Sequence, residues 1–318
     1  MSFNSQIITL NDGNKIPQVG LGTWQNKNSE ATIDSVYQAI KIGYRHIDTA
    51  AIYGNEEEVG VGIKKAIDEG IVKREDLFVT TKLWGTQQRL SQQAIKQSLE
   101  RLQLEYVDLY LIHWPVALKS RTIDPSDPKN YLCIPMNPDN ESARDVDVNW
   151  TFVDTYLALQ HLKKEGLAKS IGVSNFSINN LKELFKHPLF KIKPVVNQVE
   201  IHPLLPQDEL IAFCKEHDIV CEAYSPLGST SSPILTNETL VSIAEKLKID
   251  VAQVCISWAV QRGYVVLPKS SQVERIERNF NNLAKLSDED FATVSALKEK
   301  YGEKRFVKPD FTPFKVFE

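Results

Sequence analysis

Along this chain, short runs rich in β-branched and aromatic residues alternate with amphipathic stretches, and the alternation recurs eight times. The runs fall at 18–21 (QVGL), 44–47 (YRHI), 77–81 (LFVTT), 107–112 (VDLYLI), 169–173 (KSIGV), 194–199, 219–223 (IVCEA) and 264–267 (YVVL). Apolar residues at helical spacing occupy 31–42, 56–69, 91–102, 152–165, 207–216 and 237–247. Strand and helix in strict alternation imply βαβ units around a parallel sheet. Eight such units in 318 residues fit one (β/α)8 barrel better than a doubly wound sheet. No linker, low-complexity run or repeat interrupts 1–318, so one domain is expected. Residues 7–16, with Asn11-Asp12-Gly13 at their centre, read as a hairpin closing the barrel floor. The Pro- and Phe-rich segment 305–318 reads as a non-helical tail on the surface.

Charge narrows the partners. A net charge of −4 creates no global attraction for nucleic acid or an anionic membrane, so any anion site must be a local cluster of Lys or Arg. No run approaches the ~18 apolar residues of a membrane helix. The opening MSFNSQIITL lacks the basic and apolar regions of a signal peptide, which points to the cytoplasm. Cys133, Cys214, Cys221 and Cys255 are widely spaced, with no CxxC, and are expected to be reduced thiols rather than metal ligands.

In a barrel of this kind chemistry gathers where strands end. The eight runs exit at Thr23 and Trp24, Asp48, Lys82, His113 and Trp114, Ser174 and Asn175, Gln198, Tyr224 and Ser225, and Lys269 and Ser270. Asp48, Lys82 and His113 thus converge on one mouth, joined by Tyr53 from the loop after the second strand. A free phenol is a weak acid, with a pKa near 10, but an adjacent ammonium stabilises phenolate. Lys82 supplies that ammonium, Asp48 holds it, and His113 can donate a hydrogen bond to a carbonyl oxygen. Taken singly these residues mean little; a loop charge, a structural imidazole or a packing Tyr would look the same. Together they describe a site that polarises a carbonyl, and the missing hydride implies a nicotinamide cofactor.

The motifs GYRHIDTAAIYGNEEEVG (43–60), TTKLW (80–84), DLYLIHWP (108–115), SIGVSNF (170–176), NQVEIHPLLPQDEL (197–210), EAYSPLGS (222–229) and LPKS (267–270) resemble those of aldo-keto reductases from residue 7 to about residue 305. Within that family the likeness is nearest to the NADP-linked carbonyl reductases of yeast, the galactose-inducible, crystallin-like and glycerol 2-dehydrogenase group. The resemblance implies a catalytic tetrad of Asp48, Tyr53, Lys82 and His113, and NADPH or NADP+ as cofactor. It places Thr23, Trp24 and Asp48 along the nicotinamide riboside, Ser174, Asn175 and Gln198 at the carboxamide, and Tyr224 under the ring. Ser225, Pro226, Leu227, Gly228 and Ser229 would form a loop over the pyrophosphate, while Lys269, Ser270, Ser271, Arg275 and Asn279 would hold the adenosine end and its 2′-phosphate.

Two departures stand out. Arg278 replaces a Glu that many relatives place there, which leaves the adenine amino group without its acidic contact. Trp114 and Ser271 stand where xylose reductases resemble HFP and KSN, so xylose is not the expected substrate, although xylose or aldose reduction is the alternative within the family. Trp24, Trp84 and Trp114, with Tyr53 and His113, would wall the substrate pocket and favour apolar or aromatic carbonyl compounds. The rest of the wall is expected from the long loop 116–149 and from Phe306 and Phe311 of the tail. Tyr37 and Lys41 satisfy the YxxxK pattern of short-chain dehydrogenases, but Gly20-Leu-Gly22 lacks the third glycine of a dinucleotide fingerprint, so the pair is expected to decorate a helix. A binding or structural protein on the same scaffold is the non-enzymatic alternative. The expected partners are a small-molecule carbonyl compound and, at most, a second copy in a weak homodimer.

Overall fold

A computed structural model describes residues 4, 6–25, 29–119, 132–229 and 232–318. A hairpin, β1 (Ile7–Thr9) and β2 (Lys15–Pro17), precedes the first barrel strand, β3 (Leu21–Gly22). Helices then alternate with strands: α1 (Ser29–Ile42), β4 (His46–Asp48), α2 (Glu56–Asp68), β5 (Phe78–Leu83), α3 (Ser91–Leu102) and β6 (Val107–Ile112). After β6 come a small antiparallel pair, β7 (Met136–Asn137) and β8 (Asn140–Arg144), then α4 (Phe152–Lys164), β9 (Ala168–Ser174), α5 (Ile178–Lys186), β10 (Val196–Glu200), α6 (Asp208–Glu216) and β11 (Val220–Tyr224). The chain finishes with α7 (Glu238–Leu247), α8 (Val251–Gln261), β12 (Val265–Val266), α9 (Val273–Asn281), α10 (Asp288–Ser295) and α11 (Leu297–Tyr301).

Eight strands form one parallel sheet in the order β3-β4-β5-β6-β9-β10-β11-β12. The sheet closes on itself, because Gly20 and Gly22 donate to Val266 and Pro268 carbonyls at 3.0 Å and Val266 donates to Gln18 at 2.8 Å. This is the (β/α)8 barrel that the alternation implies, and each expected strand is present within three residues of its place. Helix α8 was not legible. It is buried along most of its length, from Gln253 to Val260, so its sequence carries no polar face and no amphipathic period.

Residues two apart on a strand face the same way, and this sorts the barrel into layers. Leu109 and Leu111 point inward with Ile16, Phe78, Val265 and Leu267, forming an apolar plug at the floor. Tyr110 and Ile112 point outward into the larger core beneath the helices. The hairpin closes that floor, with Asn11 Nδ2 donating to Pro194 and Asp218 carbonyls at 2.8 and 3.0 Å. Tyr37 and Lys41 lie on α1, where the Tyr37 hydroxyl donates to Glu69 at 2.6 Å, as expected of helix decoration. Among the described residues no helix is long and apolar enough to cross a membrane.

Gly20 marks the closest approach inside the barrel. A Cβ there would lie 2.8 Å from both the His46 ring and Leu267 Cδ2, and both neighbours are buried and fixed. Adding a methyl to a filled core generally costs about 1–3 kcal/mol. Gly20→Ala is therefore expected to lower unfolding stability by that amount in urea titration, despite the entropy a Gly→Ala change normally removes from the unfolded chain.

Candidate active site

Asp48, Lys82, Gln198 and Glu222 fill the upper layer of the barrel interior, one step above the apolar plug, and all are buried. Lys82 Nζ donates to Asp48 Oδ1 at 2.6 Å, to the Thr49 carbonyl at 2.8 Å and to the Tyr53 hydroxyl at 3.3 Å. The other Asp48 oxygen accepts from Gln198 Nε2 at 2.9 Å, and the same amide nitrogen donates to Glu222 Oε2 at 2.7 Å. Tyr53 reaches this layer from the turn after β4, which ends in a left-handed Gly54 (φ 69°). Its ring lies edge-on to His113, with centroids 5.7 Å apart, and 4.8 Å from the ring of Trp24. The four residues read from the strand ends thus converge.

Burial and charge fix the protonation states. Burial works to discharge Lys82, but the Asp48 carboxylate and Tyr53 outweigh it and hold the ammonium. Burial raises Asp48, and Lys82 pulls it back; at 2.6 Å the ionised pair is the arrangement that satisfies both. Burial drives His113 well below its usual pKa, with the Lys82 charge adding to the effect, so the imidazole is neutral. Tyr53 departs from expectation: burial raises its pKa and Lys82 only partly offsets this. The phenol is thus not acidified at rest. A low-dielectric setting penalises phenolate more than one cation at 3.3 Å favours it.

The tetrad opens onto a cavity of about 560 Å³. Lys82 lies beneath it, whereas Asp48, Tyr53 and His113 reach its wall with Trp24, Trp84 and Trp114. Thr23, Ser174, Asn175, Gln198 and Tyr224 line the next stretch. Asn175, at φ 63°, is held by its amide donating to the His113 carbonyl at 2.9 Å and by its oxygen accepting from Tyr224 at 2.8 Å. The 225–229 loop and Lys269 continue the wall, with Ser225 and Gly228 at positive φ (48° and 76°). Phe306 lies close over Gly228 and borders the cavity with Val307 and Lys308.

Other expected residues lie outside the wall. Phe311 is buried against Trp114, with centroids 5.4 Å apart, so it supports the wall from behind. Ser270 accepts from Gln272 N at the start of α9, and Asn279 accepts from Gln253 Nε2 at 2.8 Å; both are engaged in packing. Arg275 and Ser271 are exposed, and Arg278 pairs with Asp250 at 3.4 Å. The tail does not simply lie on the surface, since Phe311 and Val316 are buried. Of the loop 116–149, residues 120–131 lie outside the described residues; Ile134 and Arg144 from the remainder reach the cavity.

Three titratable neighbours of the site are not among the residues at the ends of the runs. Glu222, on β11, is pushed up to about 8, first by burial and then by Asp48, and its Oε1 faces His46 Nε2 at 3.5 Å. His46 is held down to about 3 by burial, so both members of this contact are neutral near pH 7. Glu200 accepts from the backbone N–H groups of Phe306 and Val307 at 2.8 and 3.0 Å, fastening the tail over the cavity. Period two would have found the first two: His46 and Glu222 sit two residues before Asp48 and Tyr224 and share their inward face.

The sequence comparison is decisive, with residues 18–299 matching the Aldo/keto reductase family. The chain belongs to that family. It is 52% identical over 316 residues to glycerol 2-dehydrogenase (NADP(+)) of Saccharomyces cerevisiae, covering 99% of this chain and 97% of the relative. It is 50% identical to aldehyde reductase YPR1 of the same yeast, covering 99% and 98%. Its fold matches a crystal structure of a Bombyx mori aldo-keto reductase in complex with NADP, with a TM-score of 0.81 at 36% identity, covering 96% and 95%.

The Glu222 proton links this aldo-keto reductase's stability to pH. An unfolded Glu titrates near 4.3, so between about pH 4.3 and 8 the folded chain keeps a proton that the unfolded chain has released. The stabilisation this brings is complete below the unfolded value and is lost as pH rises through the folded one. Glu222→Gln removes the titration. The stability of wild type relative to Glu222→Gln, measured by urea unfolding, is expected to fall between pH 5 and pH 9 by on the order of 1–3 kcal/mol.

Proposed function

We propose that this chain is an NADPH-dependent carbonyl reductase that converts aldehydes and ketones to alcohols, with Tyr53 as proton donor. The observation that carries the reading is the Tyr53 hydroxyl 3.3 Å from a buried, fully partnered Lys82 ammonium at the base of an aromatic-walled cavity. The names of the two yeast relatives, an NADP(+) dehydrogenase and an aldehyde reductase, support it. The cavity suits a dinucleotide: it runs from the tetrad past Asn175 and Gln198 to the positive-φ turn at 225–229 and the Lys269 side chain. Both hydrogens of the Gln198 amide are committed to Asp48 and Glu222, leaving its oxygen to accept from a carboxamide. The small, turn-forming residues at 225–229 would hold the pyrophosphate, and Lys269 with Arg275 the 2′-phosphate.

When bound, NADPH supplies the hydride that no side chain can provide. Tyr53, still neutral because burial raises its pKa, gives its hydroxyl proton to the carbonyl oxygen as that oxygen gains negative charge. The phenolate left behind lies beside Lys82, so the ammonium acts chiefly on the charged product of proton transfer. Asp48 fixes the ammonium, and the neutral His113 offers one N–H to the substrate oxygen and orients the carbonyl. Trp24, Trp84, Trp114 and the tail residue Phe306 line the substrate end, backed by Phe311.

Tyr53→Phe leaves the Lys82–Asp48 pair intact and removes only the donated proton. It is expected to lower kcat for an activated aldehyde by about 10² to 10⁴ with little change in NADPH affinity; retention of a tenth of wild-type kcat would refute the assignment. Lys82→Met is expected to be comparably inactive and also destabilised by about 3–5 kcal/mol, because Asp48 is left as an uncompensated buried charge.

Neutralising Lys269 and Arg275 together is expected to erase NADPH preference by weakening NADPH rather than strengthening NADH. Each lost charged contact is worth about tenfold or more in affinity. Cofactor titrations by fluorescence quenching check this, and strong residual discrimination would place the phosphate elsewhere.

A further inference from the structure

Two carboxyl groups share one amide inside the barrel. Gln198 Nε2, on β10, donates to Asp48 Oδ2 at 2.9 Å and to Glu222 Oε2 at 2.7 Å, so the two carboxyls approach each other across a single nitrogen. Among the described residues one cation is in reach of both, Lys82. Its ammonium directs three hydrogens to Asp48, the Thr49 carbonyl and Tyr53, which leaves none for Glu222.

The other neighbours of Glu222 supply no charge. From β4, His46 Nε2 stands 3.5 Å from Glu222 Oε1, and burial keeps that imidazole neutral. From β5, the Thr80 hydroxyl lies 3.1 Å from the same His46 nitrogen, and β12 sets the apolar Val265 beside Glu222 in the sheet. Glu222 Oε1 is itself buried without a hydrogen-bond partner. When two carboxyls share a site, one of them keeps its proton well above the usual range. Asp48 holds the cation, so the proton belongs to Glu222. Carboxyls held apart in this way take different roles: Asp48 is the fixed anion, and Glu222 is the group that titrates.

Above about pH 8 the Glu222 proton passes to solvent, and the layer gains a second anion. Burial already raises Tyr53, and a charge on Glu222 opposes its phenolate further. Phenolate is what Tyr53 becomes when it protonates a carbonyl oxygen, and what it must be to take a proton from an alcohol. Both directions cross the same transition state, so both slow together.

We propose that Glu222 is a positioning residue of the carbonyl reductase reaction: its carboxyl proton leaves Asp48 as the only anion balancing Lys82 beside Tyr53, and loss of that proton sets the alkaline limit of turnover in both directions. The proposal rests on the carbonyl reductase reading and adds to it a residue outside the tetrad.

Glu222→Gln keeps an acceptor for Gln198 and is uncharged at every pH. The test measures kcat for reduction of 4-nitrobenzaldehyde by NADPH, and for oxidation of 4-nitrobenzyl alcohol by NADP+, across the range from about pH 6 to about pH 10 in wild type and variant. The quantity read is the ratio of wild type to variant at each pH. A limb that belongs to Tyr53 alone appears in both forms and cancels. The ratio is expected to fall about tenfold or more in both directions, roughly the weight of one added charge several ångströms away at an effective dielectric of about 20, with its midpoint near pH 8. A second readout needs neither cofactor nor turnover. NMR of the apoenzyme with isotope-labelled glutamate should show one carboxyl titrating near pH 8 that is missing from the variant. Glu222→Met, also uncharged, serves where Glu222→Gln folds poorly. A ratio that stays flat with pH overturns the inference, while turnover of the aldehyde still upholds the reductase reading. A Glu222 resonance that titrates in the ordinary range, about 4.3, overturns it as well. Failure of wild type to reduce the aldehyde refutes the reductase reading itself.

Discussion

An ammonium and a carboxylate buried inside the barrel, Lys82 on Asp48 at 2.6 Å, set the terms for everything around them. Taking two charges out of water costs several kcal/mol for each ion, and attraction offsets that only when the remaining donors and acceptors are also satisfied. Here they are. The three ammonium hydrogens have Asp48, the Thr49 carbonyl and Tyr53 as partners, and the second carboxylate oxygen has Gln198. The pair and its partners come from three strands or their ends, β4, β5 and β10, so the pair is met in full only when the barrel has closed. Fold and site are in that sense one constraint: a sheet that splayed by an ångström would leave a bare charge in its interior.

The same constraint explains the neutral groups next to the pair. A third charge in that layer would have no partner, and Glu222 accordingly keeps its proton to about pH 8 while His46 stays unprotonated down to about 3. Their contact spaces the polar layer from the apolar plug of Phe78, Leu109, Leu111 and Val265. It also pins the Gln198 amide between two carboxyl groups, which decides that its oxygen is the atom left for a ligand. Tyr53 is governed by the same logic. Its phenol remains neutral because phenolate would be another buried anion, and in the proposed reaction the ammonium beside it acts only once the proton has left.

Much of this was legible in the sequence because it is periodic. All eight strands follow from β-branched runs between amphipathic stretches, and Asp48, Lys82, His113 and Gln198 are where the runs end. What was not legible has two physical causes. Burial on all sides erases the signal, as in α8, where Cys255, Ile256 and Trp258 leave no polar face to mark a helix. Contacts between segments far apart in the chain leave no local trace: Glu200 reads as one more acid in NQVEIHPLL, and only the folded chain shows it holding the backbone of Phe306 and Val307. The acidity of Tyr53 differs from the sequence expectation for a related reason, since proximity of Lys82 follows from strand order but the weight of desolvation does not.

Chemistry and choice of substrate are built on different kinds of structure. Asp48 and Lys82 stand on strands whose inward residues are locked by the barrel, with His113 directly after β6, and there small displacements are costly and geometry is kept. The outer wall is made from the β7–β8 segment and the tail, which have no barrel hydrogen bonds of their own. They are fastened instead at discrete points, by Glu200 to Phe306 and Val307, by Arg144 N to the Asp310 carbonyl, and by Trp84 Nε1 to the Cys133 carbonyl at 2.7 Å. Phe311 adds an apolar anchor against Trp114. Such a wall can change its lining residues without disturbing the buried ion pair, because none of its fasteners touches Lys82 or Asp48. The lining of the outer wall can thus vary with the substrate under the proposed reaction, while the Lys82–Asp48 pair stays fixed by the barrel.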